Sequence, residues 1–266
     1  MTYIDAFILG LIQALTEFLP VSSSGHLVLG QSLFGIEPAS GIAFEIMVHL
    51  GTLFSVIFCY RKALKSLLVS LIPGEVQSTS PGDGRGWSEV WLLFIGCLPA
   101  GVIGLTFKTE LEQLFGSPSF VAWALLVTGI VLLSTRMTSD LGRRITPPIA
   151  LAIGFAQAIA ILPGISRAGA TIAMAMWLGV PNERGARFSF FLSIPVIAGA
   201  SLIQLKDLTE LNTSAHAWSM LSVSALCAFV FGVLALKLLL VLLNRGVFSR
   251  FGWYCLTVGV GALYLL

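Results

Sequence analysis

Two short stretches of this sequence combine residue types that could do chemistry on an anion. The first holds Gln13, Glu17, Ser22, Ser23, Ser24 and His26. Gln13 and Glu17 are four residues apart, so on a helix their side chains share one face. Pro20 interrupts that helix. Ser22 or Ser23 can cap the helix that resumes, leaving its first N–H groups aimed into the turn. Ser23 and His26, three apart, again share a face. The cluster offers a carboxylate, a hydroxyl and an imidazole around the positive end of a helix. A blander reading makes the serines caps and His26 a hydrogen-bonded helix residue. Glu17 resists it, because a carboxylate in a buried apolar helix costs on the order of several kcal/mol unless it is used or paired.

The second stretch holds Gly164, Ser166, Arg167, Gly169 and Thr171. Pro163-Gly164 ends one helix, Ser166 can cap the next, and Gly169 allows close backbone approach. The planar fork of Arg167 suits bidentate contact with phosphate oxygens. The lesser alternative is a structural ion pair with Glu17, and the two roles can coexist if the pair holds the empty site. Two helix N-termini and one arginine make a site for an anion with several oxygens, such as a phosphate or diphosphate. Within the cluster, Ser23 is assigned as nucleophile, His26 as base and then acid, and Glu17 as orienter or metal ligand. Two rivals stay open: direct attack by His26, and attack by a water with Ser23 only binding phosphate. A diphosphate beside Glu17 concentrates negative charge, so a divalent cation, Mg²⁺ or Ca²⁺, is expected there, with Gln13 able to add a neutral amide ligand.

The elements that must position these residues are set by composition. Of 266 residues, 56% are hydrophobic and 11% charged, against roughly 25% charged in an ordinary soluble domain. So much apolar surface cannot be hidden inside a soluble domain of this length, and a cytosolic enzyme or a disordered chain is excluded. A net charge of +2 gives no electrostatic footprint for nucleic acid. The four cysteines match no metal or CxxC spacing and read as small core hydrophobes. The N-terminal segment lacks the basic region of a signal peptide, the first Lys or Arg being Arg61.

Six segments are apolar and near the ~20 residues a bilayer requires: about 42–60, 89–107, 118–135, 186–205, 217–243 and 250–266. Segments 4–34 and 148–180 are each broken by one of the polar turns, and their halves are too short to span, which predicts re-entrant helix-turn-helix hairpins. With the first hairpin entering from outside and the second from inside, Arg61, Lys62, Lys65, Arg85, Arg136, Arg143, Arg144, Arg184, Arg187, Lys237, Arg245 and Arg250 fall on the cytoplasmic side. Only Lys108 and Lys206 fall outside, and Arg167 lies within the membrane. Both termini then face outside. Gln13-Ala14-Leu15 returns as Gln157-Ala158-Ile159, and Phe44 to Leu53 aligns loosely with Phe188 to Ile197, both at an offset of 144. The expected fold is therefore an all-α integral membrane protein, a single polytopic domain of six transmembrane helices plus two re-entrant hairpins. Repeat 1 covers about 1–136 and repeat 2 about 148–266, each a hairpin and three spans, hence inverted relative to one another. Residues 73–88 read as a cytoplasmic loop. Glu45 and His49, four apart, either line the cavity or make a helix–helix hydrogen bond. Lys108, Glu110, Glu112, Asp207 and Glu210 read as solvated external residues. Small-residue spacing in 96–104 and 154–158 reads as packing, and a homodimer is left open.

At the two polar turns the chain resembles a known family. Gln13-Ala14-Leu15-Thr16-Glu17-Phe18-Leu19-Pro20-Val21-Ser22-Ser23-Ser24-Gly25-His26 is similar to the (Glu/Gln)xxxGlu motif and Ser/His continuation of undecaprenyl-diphosphate phosphatases of the bacitracin-resistance type. Pro163-Gly164-Ile165-Ser166-Arg167-Ala168-Gly169-Ala170-Thr171 resembles their PGxSRSxxT motif. The resemblance implies hydrolysis of undecaprenyl diphosphate to undecaprenyl phosphate and orthophosphate. That reaction recycles the lipid carrier of peptidoglycan synthesis in a bacterial plasma membrane, with tolerance of bacitracin as a consequence. The resemblance maps the catalytic machinery onto Glu17, Ser23, His26, Ser166, Arg167 and Thr171, with divalent-metal assistance. Ser22, Ser166, Arg167, Gly164, Gly169 and Thr171 would bind the substrate phosphate, and the site would open to the outer face. Two departures stand out: Gln13 replaces the commoner glutamate, and Ala168 replaces a serine. The rival function is a transporter or flippase for a polyprenyl phosphate lipid, which needs Arg167 and helix ends but no nucleophile–base pair. A structural scaffold leaves buried Glu17 and Arg167 unexplained.

Overall fold

The computed structural model of the chain describes residues 2–34, 41–72, 86–210 and 215–266. The described residues are mostly helical, with no strand among them. Helix α1 (Tyr3–Phe18) starts in a capping box: Thr2 Oγ1 accepts from the Asp5 amide and Asp5 Oδ2 accepts from the Thr2 amide. It stops before Pro20, which offers no amide to continue it. Then follow α2 (Ser23–Phe34), α3 (Gly41–Val69), α4 (Gly86–Thr106), α5 (Lys108–Phe115) and α6 (Pro118–Ser134). Helix α6 has Pro118 in its first turn and Ser117 as its N-cap, both favourable where amides have no helical partner. The second half runs α7 (Pro147–Ile159), α8 (Arg167–Trp177), α9 (Asn182–Glu210), α10 (Ala215–Asn244) and α11 (Phe251–Leu265).

Five of these helices, α3, α4, α6, α9 and α10, are long and apolar enough to cross a membrane. Helix α11, where the sixth span is expected, has 15 residues, about 22 Å at 1.5 Å per residue, less than the ~30 Å hydrocarbon layer. Segments 4–34 and 148–180 each break into two short helices at the polar turns, as the interrupted hydropathy predicts. The connection 108–115 holds a short exposed helix, α5, rather than irregular loop, with Lys108 Nζ 3.6 Å from Glu112 Oε1. Of the expected loop 73–88, residues 73–85 lie outside the described residues, as do the side chains of Lys206, Asp207 and Glu210.

Helix packing depends on small residues, because in lipid the helices associate by close contact rather than by escape from water. A Cβ on Gly51 would sit 2.3 Å from the Ala225 carbonyl oxygen, and one on Gly154 would sit 2.5 Å from that of Gly96. The small-residue spacing at 96 and 154 thus serves packing within the chain, α4 against α7. The other principal pairs are α3 with α10, α6 with α11, α1 with α10, and α3 with α9. The outer faces stay apolar: Trp91, Phe94, Leu98, Val102 and Leu105 form an exposed stripe along α4, the pattern of a surface solvated by lipid.

Candidate active site

The two polar turns meet. A Cβ on Gly25 would lie 3.2 Å from the Gly164 Cα and 3.2 Å from Ser22 Oγ. Gly164 has φ +94, and a Cβ there would strike the Val121 carbonyl oxygen at 2.5 Å. Thr128 of α6 ties the second turn down: its hydroxyl donates to the Gly164 carbonyl at 2.9 Å and accepts from the Ser166 amide at 3.2 Å. In the first turn Ser22 takes φ 71, the only non-glycine positive φ among the described residues. Such backbone strain persists where its surroundings fix it, often at functional sites.

Glu17 is the hub. Its carboxylate accepts from Arg167 Nη2, from Ser23 Oγ at 2.6 Å and from Gln13 Nε2 at 3.2 Å. The Glu17 and Arg167 side chains are 7% and 18% exposed, so the expected ion pair is present and largely desolvated. A buried pair of this kind holds its geometry because neither charge can be released cheaply. Arg167 Nη1 is buried with no hydrogen-bond partner among the described residues, and so is Gln13 Oε1. The protein thus leaves one guanidinium donor and one amide acceptor unused at the heart of the site. Buried polar atoms left this way call for a ligand or water.

His49 enters from α3, with Nδ1 3.1 Å from Gln13 Nε2 and 3.9 Å from Glu17 Oε2. Of the two readings of His49, the helix–helix hydrogen bond is realised, and it lies within the cluster. The same Gln13 amide reaches both Glu17 and His49, which orients it.

Sharing a helix face does not bring Ser23 and His26 into a hydrogen bond. The Ser23 hydroxyl donates to Glu17. His26 Nδ1 faces the Ser22 carbonyl at 2.8 Å, and Nε2 faces Tyr254 Oη at 2.8 Å. Hydrogen bonds in an empty site often rearrange when substrate enters. The second turn behaves as a cap: Ser166 Oγ accepts from the Gly169 amide at 3.1 Å. Thr171 Oγ1 is engaged with the Arg167 carbonyl at 2.7 Å and with Ser189 Oγ at 2.6 Å. Its hydroxyl therefore braces the start of α8 against α9. Tyr254, Thr128 and Ser189 were not singled out in the sequence, where each is an isolated polar residue in an apolar helix.

His26 and Tyr254 also line an apolar groove of about 870 Å³ between α1–α2 and α11, walled by Leu15, Leu19, Leu29, Val258 and Leu265 among others. Of the two polar clusters, His26 is the residue that lines this groove.

Hard oxygen donors fit Mg²⁺ or Ca²⁺. Glu17 and the unpartnered Gln13 Oε1 supply such donors, and no group of three or more His, Cys, Asp and Glu suited to a metal ion occurs among the described residues. These two donors would leave most of a Mg²⁺ coordination shell to water or to a ligand.

Comparison with known proteins matches residues 6–261 to the family model described as bacitracin resistance protein BacA. The chain is 42% identical to the undecaprenyl-diphosphatase of Desulforapulum autotrophicum, over 98% of this chain and 97% of that protein. It is 37% identical to the undecaprenyl-diphosphatase of Methanosphaera stadtmanae, over 98% of this chain and 97% of that protein. With the undecaprenyl-diphosphatase of Salinibacter ruber it shares 37% identity over the full length of both.

Proposed function

The chain belongs to the bacitracin resistance protein BacA family, and we propose that it hydrolyses undecaprenyl diphosphate to undecaprenyl phosphate and orthophosphate. The observation that carries the chemistry is the Glu17–Arg167 pair, with Arg167 Nη1 still free for a phosphate oxygen. A prenyl diphosphate suits the setting: its head reaches the pair, and its tail lies in the groove that begins at His26 and Tyr254.

In this mechanism Arg167 and the start of α8 bind the phosphates and stabilise charge as it shifts toward the leaving group. Gly164 and Gly169 let the backbone approach closely, and Ser22 and Ser166 set the two helix starts. Ser23 Oγ attacks the terminal phosphorus as its proton passes to His26 and the P–O bond to the departing undecaprenyl phosphate breaks; water then attacks the phosphoserine, and His26 returns the proton to Ser23 Oγ as orthophosphate leaves. Attack by His26 itself or by water remains a rival distinguished by the trapped species. A divalent cation bound by Glu17, with Gln13, would offset the charge of the diphosphate. The separate bonding of Ser23 to Glu17 and of His26 to Tyr254 means that substrate must displace both before the serine meets the imidazole. Phosphate release from a prenyl diphosphate in detergent, where no gradient exists, tests the reading. Release supports hydrolysis, and intact diphosphate after long incubation favours a lipid transporter.

The proposed membrane arrangement follows the basic-residue distribution: α3, α4, α6, α9 and α10 cross a plasma membrane, α11 is a sixth span despite its 15 residues, two hairpins re-enter, both termini lie outside and the site opens to the outer face. The short α1, α2, α7 and α8 support re-entrant hairpins. The packing of α1 on α10 and of α7 on α4 supports an inverted repeat, since each pair is the other with the halves exchanged. Labelling from outside, in a cysteine-free background, is expected at a cysteine placed at 210 and absent at 80. Labelling at 80 in sealed cells overturns this orientation.

A further inference from the structure

Both ring nitrogens of His26 are committed, and the partners decide which carries the proton. Nδ1 lies 2.8 Å from the Ser22 carbonyl oxygen, which can only accept. Nδ1 of the neutral ring is therefore the N–H, and Nε2 presents a lone pair. That lone pair faces Tyr254 Oη at 2.8 Å, so Tyr254 donates to it. The two ring planes are parallel to within 5°. On the Ser22 side the geometry is locked by the positive φ of 71 and by the His26 amide, which donates to the same carbonyl at 3.1 Å. On the other side it depends on one hydroxyl reaching across from α11.

Tyr254 is 46% exposed at the edge of a groove whose other walls are mostly apolar. Among the described residues its hydroxyl is hydrogen-bonded to His26. We infer that Tyr254 is a positioning residue: together with the Ser22 carbonyl it holds His26 as the Nδ1–H tautomer, with the Nε2 lone pair directed at the edge of the groove. The inference rests on the diphosphatase reading for its kinetic consequence. When the attacking oxygen takes the place of the Tyr254 hydroxyl, its O–H bond breaks, an N–H bond forms at Nε2, and the proton later returns to the Ser23 oxygen as orthophosphate is released.

Tyr254→Phe keeps the ring and removes only the hydroxyl. The full chain, labelled with ¹⁵N-histidine in detergent, carries three histidines, His26, His49 and His216, and His26→Gln identifies the His26 resonances. In the wild type the His26 signals are expected to show one tautomer with a hydrogen-bonded Nε2. In Tyr254→Phe the Nε2 resonance is expected to move toward that of an unbonded imidazole nitrogen. Because the attacking oxygen displaces the Tyr254 hydroxyl, the loss is expected in phosphate-release kcat/KM, about tenfold, the worth of one hydrogen bond that presets the ring in the free enzyme, with kcat at saturation changed less. An unmoved Nε2 resonance, or a wild-type kcat/KM in Tyr254→Phe, overturns the proposal. A wild type that releases no phosphate overturns the diphosphatase reading instead, and the resonance still decides the Tyr254–His26 bond.

Discussion

Arg167→Lys separates charge from geometry at the candidate site. The guanidinium donates through Nη2 to Glu17 while Nη1 is buried without a protein partner. Lysine has a single nitrogen on a flexible stem, so it cannot hold Glu17 and span phosphate oxygens with the same planar fork. The structure thus predicts the loss of one charge-assisted hydrogen bond to phosphate, about 1.5–3 kcal/mol, or roughly 10- to 150-fold. Removing a preorganised donor to developing oxyanion charge costs about 10²–10³-fold, so a fall near a hundredfold is expected. The assay is phosphate release in detergent across a range of substrate concentrations, with thermal unfolding of each variant beside it. Because lysine keeps a positive charge next to Glu17, its melting temperature should stay close to wild type. Arg167→Ala should lose at least as much rate and also lose stability. A near-normal rate for Arg167→Lys would show that only bulk charge is needed and would refute the bidentate argument.

Other perturbations have equally definite outcomes. Glu17→Gln keeps the shape but leaves the Arg167 charge buried without its counter-ion, a change worth about 3–5 kcal/mol; both melting temperature and activity should drop, and an unchanged melting curve would mean the pair is not buried in solution. Excess chelator should abolish phosphate release, and Mg²⁺ or Ca²⁺ should restore it; full activity in chelator would leave Glu17 as an orienting group only. Gly164→Ala forces a side chain into φ +94 and within 2.5 Å of a backbone oxygen, so a destabilisation of about 1–3 kcal/mol is expected by thermal unfolding, and a wild-type melting temperature would contradict the described turn.

The two helix breaks were legible because Pro20, Pro163 and their serines interrupt otherwise apolar segments, and that pattern is local. The Glu17–Arg167 pair was legible for a different reason: lipid makes any buried charge seek a partner, and the sequence offers few. What the sequence could not show was which hydroxyl meets which acceptor. Ser23 and His26 share a helix face, yet Ser23 bonds back to Glu17 across the turn while His26 turns to α11. Tyr254 is 228 residues away from His26 in the chain, and no spacing rule links them. The motif places Thr171 among the phosphate-binding residues, and no spacing shows that its hydroxyl meets Ser189 on α9. The helix ends differ for a similar reason: α3 continues to Val69, beyond its apolar stretch, because Lys and Arg are good helix formers and can reach outward from the membrane edge.

The central claim is that the meeting point of the two turns cleaves a phosphoanhydride. Its most direct test follows the terminal phosphorus of labelled undecaprenyl diphosphate with purified wild type, Glu17→Gln and Arg167→Ala in detergent. Label is expected in free orthophosphate for the wild type and on the lipid for both variants. Label retained on the lipid by the wild type, or released equally by all three, would contradict it.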